Sequence, residues 1–276
     1  MSFSLRRGCF VAVTALCVFA LPAAMASAAD RDIIRQARNA YYSLQARDFV
    51  DLRCNVTPNW RAILQEQLKT NPAAVNRAAD LLKQLVFVVT LASGEPAKIT
   101  HNMIAAANDK MAQGLQQIYS GMEQMVVGFF ATWTGFVVTP LLPAVDDDYQ
   151  LQEQGGRWRL SYKEGPTDVV TIMEKDFSID ETTVDAPGFV SVLRPKFTRT
   201  SEGLLLTEYS GDYRGKSPNA PDAVLLQVLI AYQQVNGLQL PSKLNISGSQ
   251  NGQPFQVEVV FSGCTATKHY SVALAS

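Results

Sequence analysis

Few residues in this sequence have the types and spacing that catalysis or metal binding requires. The 276 residues include two histidines, His101 and His269, whereas a histidine-based zinc site uses two or three histidines held close together. The sequence has neither the HExxH pattern of zinc proteases nor the GxSxG turn of serine hydrolases. We therefore expect no catalytic residue, no metal and no cofactor, and we predict that the protein is not an enzyme.

A run of three adjacent carboxylates, Asp146-Asp147-Asp148, is the other candidate for a cation site. A calcium loop usually alternates its oxygen ligands with other residues and has a glycine at the turn. The run has neither feature, and it follows Pro140 and Pro143, which are expected to end a helix. We interpret the run as a solvated loop.

The first 28 residues have the pattern of a secretory signal peptide. Two arginines precede an apolar run at 9–21, and small residues then form two possible cleavage sites, at 24–26 and 26–28. A short N-terminal membrane anchor is the alternative interpretation, but the apolar run is short for a membrane span. We expect export, most simply to the periplasm and otherwise to the extracellular space.

The mature chain is predicted to be slightly acidic. Without the leader it has 22 basic residues against 25 acidic ones, a net charge of −3. Binding to nucleic acid would need a concentrated basic surface, so we expect no nucleic-acid partner.

Two cysteines remain after the leader, Cys54 and Cys264, near opposite ends of the mature chain. In an oxidising compartment an isolated pair of cysteines most often forms one disulfide. We predict this bond, with two unpaired buried cysteines as the alternative.

Hydrophobic periodicity predicts helices in the first part of the mature chain. The longest is predicted at 111–136, from an apolar stripe of Met111, Leu115, Ile118, Met122, Met125, Phe129, Trp133 and Phe136. Thr57-Pro58 and Asn71-Pro72 each have the residue types of a helix start. Two strands, at 49–56 and 86–92, are expected among these helices.

The second part alternates with the period of β-strands, and Gly155-Gly156 predicts a tight hairpin there. The segment 223–235 fits a strand or a helix, and we favour the strand. These patterns indicate one α+β domain at 29–268, helix-rich at 30–145 and antiparallel at 146–264, followed by a short tail at 269–276.

A stretch of twenty uncharged residues at 126–145 could span a membrane, fill a core or line an apolar ligand site. It is interrupted by two prolines and two glycines, has no flanking basic cluster, and continues the amphipathic stripe that begins at Met111. We therefore predict no transmembrane span in the mature chain. A packed core and a ligand-lined wall both remain open.

The C-terminal part resembles the outer-membrane lipoprotein-sorting group, the periplasmic lipoprotein carriers and receptors. The similar features are Tyr232, Asn236-Gly237-Leu238 with Leu240-Pro241, the Asn251-Gly252 turn, and the alternating strand at 255–261. The segment at 201–209 is also similar to a strand entry in that group. The long helical insertion at 58–142 departs from the group's pattern.

This resemblance implies an incomplete antiparallel β-barrel, a strongly curved sheet with helices packed against its concave face. It also implies a non-enzymatic binding protein whose partner is a lipid or an acylated protein. The expected apolar ligand-binding residues are Phe129, Phe130, Trp133, Phe136, Trp158, Leu204, Leu206 and Tyr209. A structural or interaction protein with a fully packed core is the alternative, and a secreted hydrolase is a third.

Overall fold

The computed structural model of the chain describes residues 27–64, 69, 71–140, 142–217, 223–250 and 252–269. The predicted signal peptide lies almost wholly outside the described residues, as does the predicted tail after His269. The helices are α1 (Ala28–Ala40), α2 (Trp60–Ile63), α3 (Pro72–Leu82) and α4 (Asp109–Val137), with a 3-10 turn at Gln45–Arg47.

The strands form a single antiparallel sheet in the described part of the chain. They are β1 (Phe49–Pro58), β2 (Phe87–Ala92), β3 (Lys98–His101), β4 (Tyr149–Gln154), β5 (Arg157–Glu164), β6 (Thr167–Met173), β7 (Ile179–Asp185), β8 (Phe189–Thr200), β9 (Gly203–Gly215), β10 (Val224–Val235), β11 (Leu238–Gln250) and β12 (Gln253–Lys268). Their order in the sheet is β3-β2-β1-β12-β11-β10-β9-β8-β7-β6-β5-β4. The sheet is not closed, because β3 and β4 are its two edges.

The α+β class and most of the predicted elements are confirmed. The segment 224–235 is a strand, which resolves the ambiguity in favour of the prediction. Asn71 caps α3 through its side chain, with Pro72 in the first turn, as expected. The last strand continues beyond the predicted limit, to Lys268.

The predicted helix start at Thr57-Pro58 is wrong. Both residues continue β1, where Thr57 is opposite Val260 and Pro58 is opposite Val259. The cap of α2 is instead Asn59, whose side chain accepts a hydrogen bond from the Ala62 N–H. Pairing with a neighbouring strand has overridden a local sequence pattern that is typical of a helix start.

The predicted disulfide between Cys54 and Cys264 is present, and it joins β1 to β12. These two strands are also paired along most of their length. The bond therefore fixes the first strand of the chain to the last one. Among the described helices, none is long and apolar enough to cross a membrane.

Helix α4 lies against one face of the sheet and contributes much of the core. Asn108 caps it by accepting a hydrogen bond from the Met111 N–H. Five residues of the predicted stripe are buried, namely Leu115, Met122, Phe129, Trp133 and Phe136. The buried face also includes Tyr119, Val126, Phe130 and Val137. Ring contacts join it to β12 through Phe261 and to β8 through Phe197.

The C-terminal end of α4 is held by the segment that follows α1. The N–H groups of Leu44 and Gln45 donate to the carbonyls of Val137 and Val138, at 2.8 and 3.2 Å. This segment also crosses β9 closely at Gly203, where an added Cβ would lie 2.7 Å from the backbone of Tyr41. Only glycine fits there, because its φ of +118° and the close approach both exclude a side chain.

Candidate ligand-binding cleft

Four of the predicted site residues are on α4, and they lie in the packed interior. Trp133 and Phe136 have no exposed surface, and Phe129 and Phe130 have 3% and 1%. The rings of Phe129 and Phe130 lie 6.4 and 5.6 Å from that of Trp133, and both also contact the Phe261 ring. Side chains therefore fill the region where the sequence predicts a ligand wall.

Three predicted residues of β9 lie on the same side of the sheet as α4. Leu204, Leu206 and Tyr209 are all buried. The Trp133 indole donates to the Tyr232 hydroxyl at 3.0 Å, and that hydroxyl donates to the Leu206 carbonyl at 2.6 Å. Burial raises the pKa values of Tyr209 and Tyr232 above the ordinary range, so both hydroxyls remain protonated at neutral pH.

The remaining predicted residue, Trp158, is on β5, close to the far edge of the sheet from β12. It is partly buried, and the Lys175 ammonium lies 3.6 Å from its ring centroid. This contact is a cation–π pair, and Trp158 also packs against the edge of the hydrophobic core, without a ring contact to the aromatic cluster around Trp133 among the described residues.

The opposite side of the C-terminal end of α4 lines a cleft of about 720 Å³. The lining includes the end of β2 and the turn after it, at Leu91, Ala92, Gly94, Glu95 and Pro96, and the end of β5, at Tyr162, Lys163 and Glu164. The segment after α4 and Arg38 of α1 complete the lining. The volume falls in the range of small-molecule sites, roughly 300–1,000 Å³.

The lining of this cleft is mainly apolar or small. It includes Leu91, Ala92, Pro96, Ala131, Gly135, Val138, Pro140, Leu142, Pro143 and Ala144. Thr134 and Thr139 add hydroxyls, but the Thr134 hydroxyl donates to the Ala131 carbonyl and that of Thr139 donates to the Gln45 side chain. An apolar chain could therefore lie here without leaving those hydroxyls unpaired.

The polar groups that line the cleft include Arg38, Asp147 and Tyr162. The Arg38 guanidinium donates to the carbonyls of Leu142 and Pro143, at 2.6 and 3.1 Å, and so holds the segment after α4 in place. The Asp147 carboxylate accepts from the Ala144 N–H at 2.7 Å. Burial, followed by the charge of Glu164, raises the pKa of Tyr162, so its hydroxyl is a neutral donor.

Much of this lining lies in the uncharged stretch at 126–145, for which a ligand-lined wall is one of the open interpretations, but none of the eight predicted ligand-binding residues lines the cleft. Ala131, Thr134, Gly135 and Val138 recur at helical spacing on the side of α4 opposite the aromatic stripe. Small residues at this spacing leave room beside a helix, whereas most of the predicted ligand-binding residues are large and aromatic.

No cation site is evident in the described part of the chain. No group of three or more His, Cys, Asp or Glu side chains there could hold a metal ion. The His101 ring stacks on Tyr119 at 4.0 Å, and Asp146, Asp147 and Asp148 are all exposed in a loop beside the cleft. Exposure of the three carboxylates agrees with their interpretation as a solvated loop.

Comparison with known proteins does not assign a function or a ligand to the cleft. No protein-family profile, no curated protein and no solved structure matches the chain. The cleft must therefore be interpreted from its own residues.

Proposed function

We propose that this chain is an exported, non-enzymatic binding protein whose ligand is a lipid or a lipid-modified protein. The observation that carries the proposal is the cleft of about 720 Å³, whose lining is mainly apolar or small and includes a few polar groups. Such a combination is typical of sites that bind an apolar group and orient it through a few polar contacts. The disulfide supports export, because such bonds persist mainly in oxidising compartments.

We also propose that the sheet is a strongly curved half-barrel and that α4 lies on its concave face. Nine inter-strand spacings separate β2 from β5 in the sheet order. In a flat sheet these spacings, at about 4.8 Å each, would amount to roughly 43 Å. Residues at the ends of these two strands nevertheless line one cleft with α4, and this supports strong curvature.

In this arrangement the ligand lies between the two ends of the sheet, against the small-residue side of α4. The aromatic stripe on the other side of α4 then serves as a fixed support. This location differs from the one that the sequence predicts, since Phe129, Trp133 and Phe136 are separated from the ligand by the helix backbone.

A fluorescent acyl probe with an uncharged head tests the proposal. Ala131 is exposed and lines the cleft, so Ala131→Trp should fill the cleft without entering the core. We expect the wild type to bind the probe and the variant to bind at least about tenfold more weakly, a loss of about 1.4 kcal/mol. A matched control is Ala112→Trp, an exposed alanine near the other end of α4, which should bind like the wild type.

A packed interaction protein without a small ligand is the second candidate. The filled region around Trp133 favours it, because no side chain of that cluster needs a ligand to cover it. A wild type that does not bind the acyl probe, in a folded and disulfide-bonded state, would reject the binding proposal in favour of this candidate.

A further inference from the structure

Arg38 of α1 lines the cleft with part of its hydrogen-bonding capacity unused. Its Nη1 donates to the carbonyls of Leu142 and Pro143, at 2.6 and 3.1 Å. The N–H groups on Nε and Nη2 have no acceptor among the described residues, and both nitrogens retain access to solvent. Lys163, the other cation of the lining, is instead paired with the Asp168 carboxylate at 2.8 Å.

The two bonds from Nη1 fix the plane of the Arg38 guanidinium. The Nε–H and one N–H of Nη2 lie on one edge of that plane, and this edge can bind a carboxylate through two parallel hydrogen bonds. Because the carbonyls of Leu142 and Pro143 already hold the group, less conformational freedom is lost when it binds a ligand. The free edge is therefore a preorganised fork for an oxyanion.

Tyr162 of β5 provides a second donor in the same cleft. Its hydroxyl forms no hydrogen bond with another described residue. Burial and then the charge of Glu164 raise the pKa of this hydroxyl, and the positive charge of Arg38 offsets part of the rise. The hydroxyl therefore stays protonated at neutral pH, and it lies within the field of the Arg38 guanidinium.

Three carboxylates of the lining, Glu95, Asp147 and Glu164, oppose an anion in the cleft. All three are exposed, so water and salt screen their charges. Hydrogen bonds from a guanidinium to a carboxylate are direct contacts, roughly twice as strong as neutral ones, and Arg38 is partly buried. The direct contact therefore outweighs the screened repulsion for a head with one negative charge, whereas a second charge on the head adds repulsion.

We propose that the cleft binds lipids whose head is a carboxylate, and that Arg38 holds this carboxylate. The inference rests on the proposed function, because it requires an acyl chain in the cleft. The chain contacts the apolar and small lining residues, and the Nε–H and Nη2–H groups of Arg38 donate to the two carboxylate oxygens. The Tyr162 hydroxyl donates to one of these oxygens. The bonds from Nη1 to Leu142 and Pro143 remain in place.

Displacement of the uncharged acyl probe by dodecanoate, dodecanol, dodecylamine and dodecyl phosphate tests this selectivity. The competitors have chains of the same length and are used below the concentrations at which they aggregate, at a slightly alkaline pH that ionises the carboxylic acid. We expect dodecanoate to displace the probe at a concentration roughly tenfold lower than dodecanol or dodecylamine. Dodecyl phosphate should be weaker than dodecanoate, and a stronger displacement by it would overturn the assignment to a carboxylate.

The variant Arg38→Gln should bring the ratio of dodecanol to dodecanoate close to one. A loss of the Nη1 bonds alone would weaken both competitors alike, so the ratio reports on the carboxylate contact. The control Arg35→Gln removes the same charge from an exposed position of α1 that does not line the cleft, and it should retain the wild-type ratio. If Arg38→Gln also retains that ratio, the assignment to Arg38 is overturned.

A second variant, Tyr162→Phe, keeps the test decisive if Arg38→Gln does not fold. The hydroxyl that it removes has no partner among the described residues, so the fold should tolerate the change. We expect dodecanoate to bind about threefold more weakly to this variant, with dodecanol unchanged. An unchanged ratio would overturn the proposed position of the carboxylate between Arg38 and Tyr162.

The uncharged probe separates this inference from the proposed function. A wild type that binds the probe but prefers dodecanol or dodecylamine, or shows no preference, overturns the carboxylate selectivity and leaves the binding function intact. A wild type that does not bind the probe overturns the binding function, and the selectivity with it.

Discussion

The two sides of α4 have opposite surroundings over the same few turns. On one side Phe129, Trp133 and Phe136 meet aromatic residues of the sheet and have almost no exposed surface. On the other side Ala131 and Gly135 line a cleft of about 720 Å³. Neither side carries a charge, so charge does not distinguish them.

Side-chain size distinguishes the two sides. Large aromatic residues reach the sheet and interlock with it, and each of them makes many close contacts. Small residues on the other side end short of the neighbouring turns, which leaves a space between the helix and the two ends of the sheet. An uncharged helix in a folded protein can therefore be packed on one side and line a cleft on the other.

The largest expected effect concerns the packed side. Trp133→Ala should lower the free energy of unfolding by about 3–5 kcal/mol, because it removes a fully buried aromatic side chain from a filled region. Urea denaturation of the disulfide-bonded protein measures the loss. A loss below about 1 kcal/mol would mean that the region around Trp133 is not packed, and the contrast between the two sides would disappear.

The next effect concerns the polar link between α4 and the sheet. Tyr232→Phe removes the hydroxyl that accepts from the Trp133 indole and donates to the Leu206 carbonyl. Because both groups would be left buried without a partner, we expect a loss of about 1–3 kcal/mol in unfolding free energy.

Combining Tyr232→Phe with Trp133→Phe checks that this loss comes from the link. The double variant should lose less than the sum of the two single losses, since the indole that needs the hydroxyl is then absent. Strict additivity would show that the hydrogen bond contributes nothing to the attachment of α4.

The smallest effect is expected on the cleft side. Thr134→Ala removes a hydroxyl that donates to the carbonyl three residues earlier, and alanine has the higher helix propensity. The free energy of unfolding should change by less than about 0.5 kcal/mol. Urea denaturation of Thr134→Ala and Trp133→Ala under the same conditions compares the two losses in unfolding free energy. If Thr134→Ala loses as much as Trp133→Ala, the cleft side is also packed.

Much of the fold was predictable because local patterns and tertiary contacts agree there. The stripe on α4 has the period of a helix, and its side chains do meet the sheet. The strands of the second part alternate, and each pairs with its neighbour in sequence. At Thr57-Pro58 the local pattern and the tertiary contacts disagree. The residue types favour a helix start, whereas pairing with β12 keeps both residues in a strand.

The sequence allowed a ligand-lined wall at 126–145, but the other parts of the cleft could not be predicted, because they are distant in sequence. Leu91, Gly135 and Tyr162 line the cleft together, although they belong to β2, α4 and β5. The prediction of the ligand site followed the largest apolar side chains, and such residues fill space rather than leave it. Without the sheet order, the small residues of α4 give no indication of what lies opposite them.

The pairing of β1 with β12 has a consequence for the order in which the chain can acquire its structure. As the polypeptide is synthesised, β4 to β12 can pair successively, since each is adjacent in the sheet to the strand made just before it. The strands β1, β2 and β3 are synthesised first, but they can join the remaining strands only after β12 is complete, because β12 is the strand that pairs with β1. Their hydrophobic faces stay uncovered while nearly the whole chain is synthesised. The pairing of β1 with β12 is therefore a non-local step, and such steps slow folding. Until it occurs, the unpaired strands can associate with other chains. Any product that ends before β12 would retain those strands without the neighbour to which they belong.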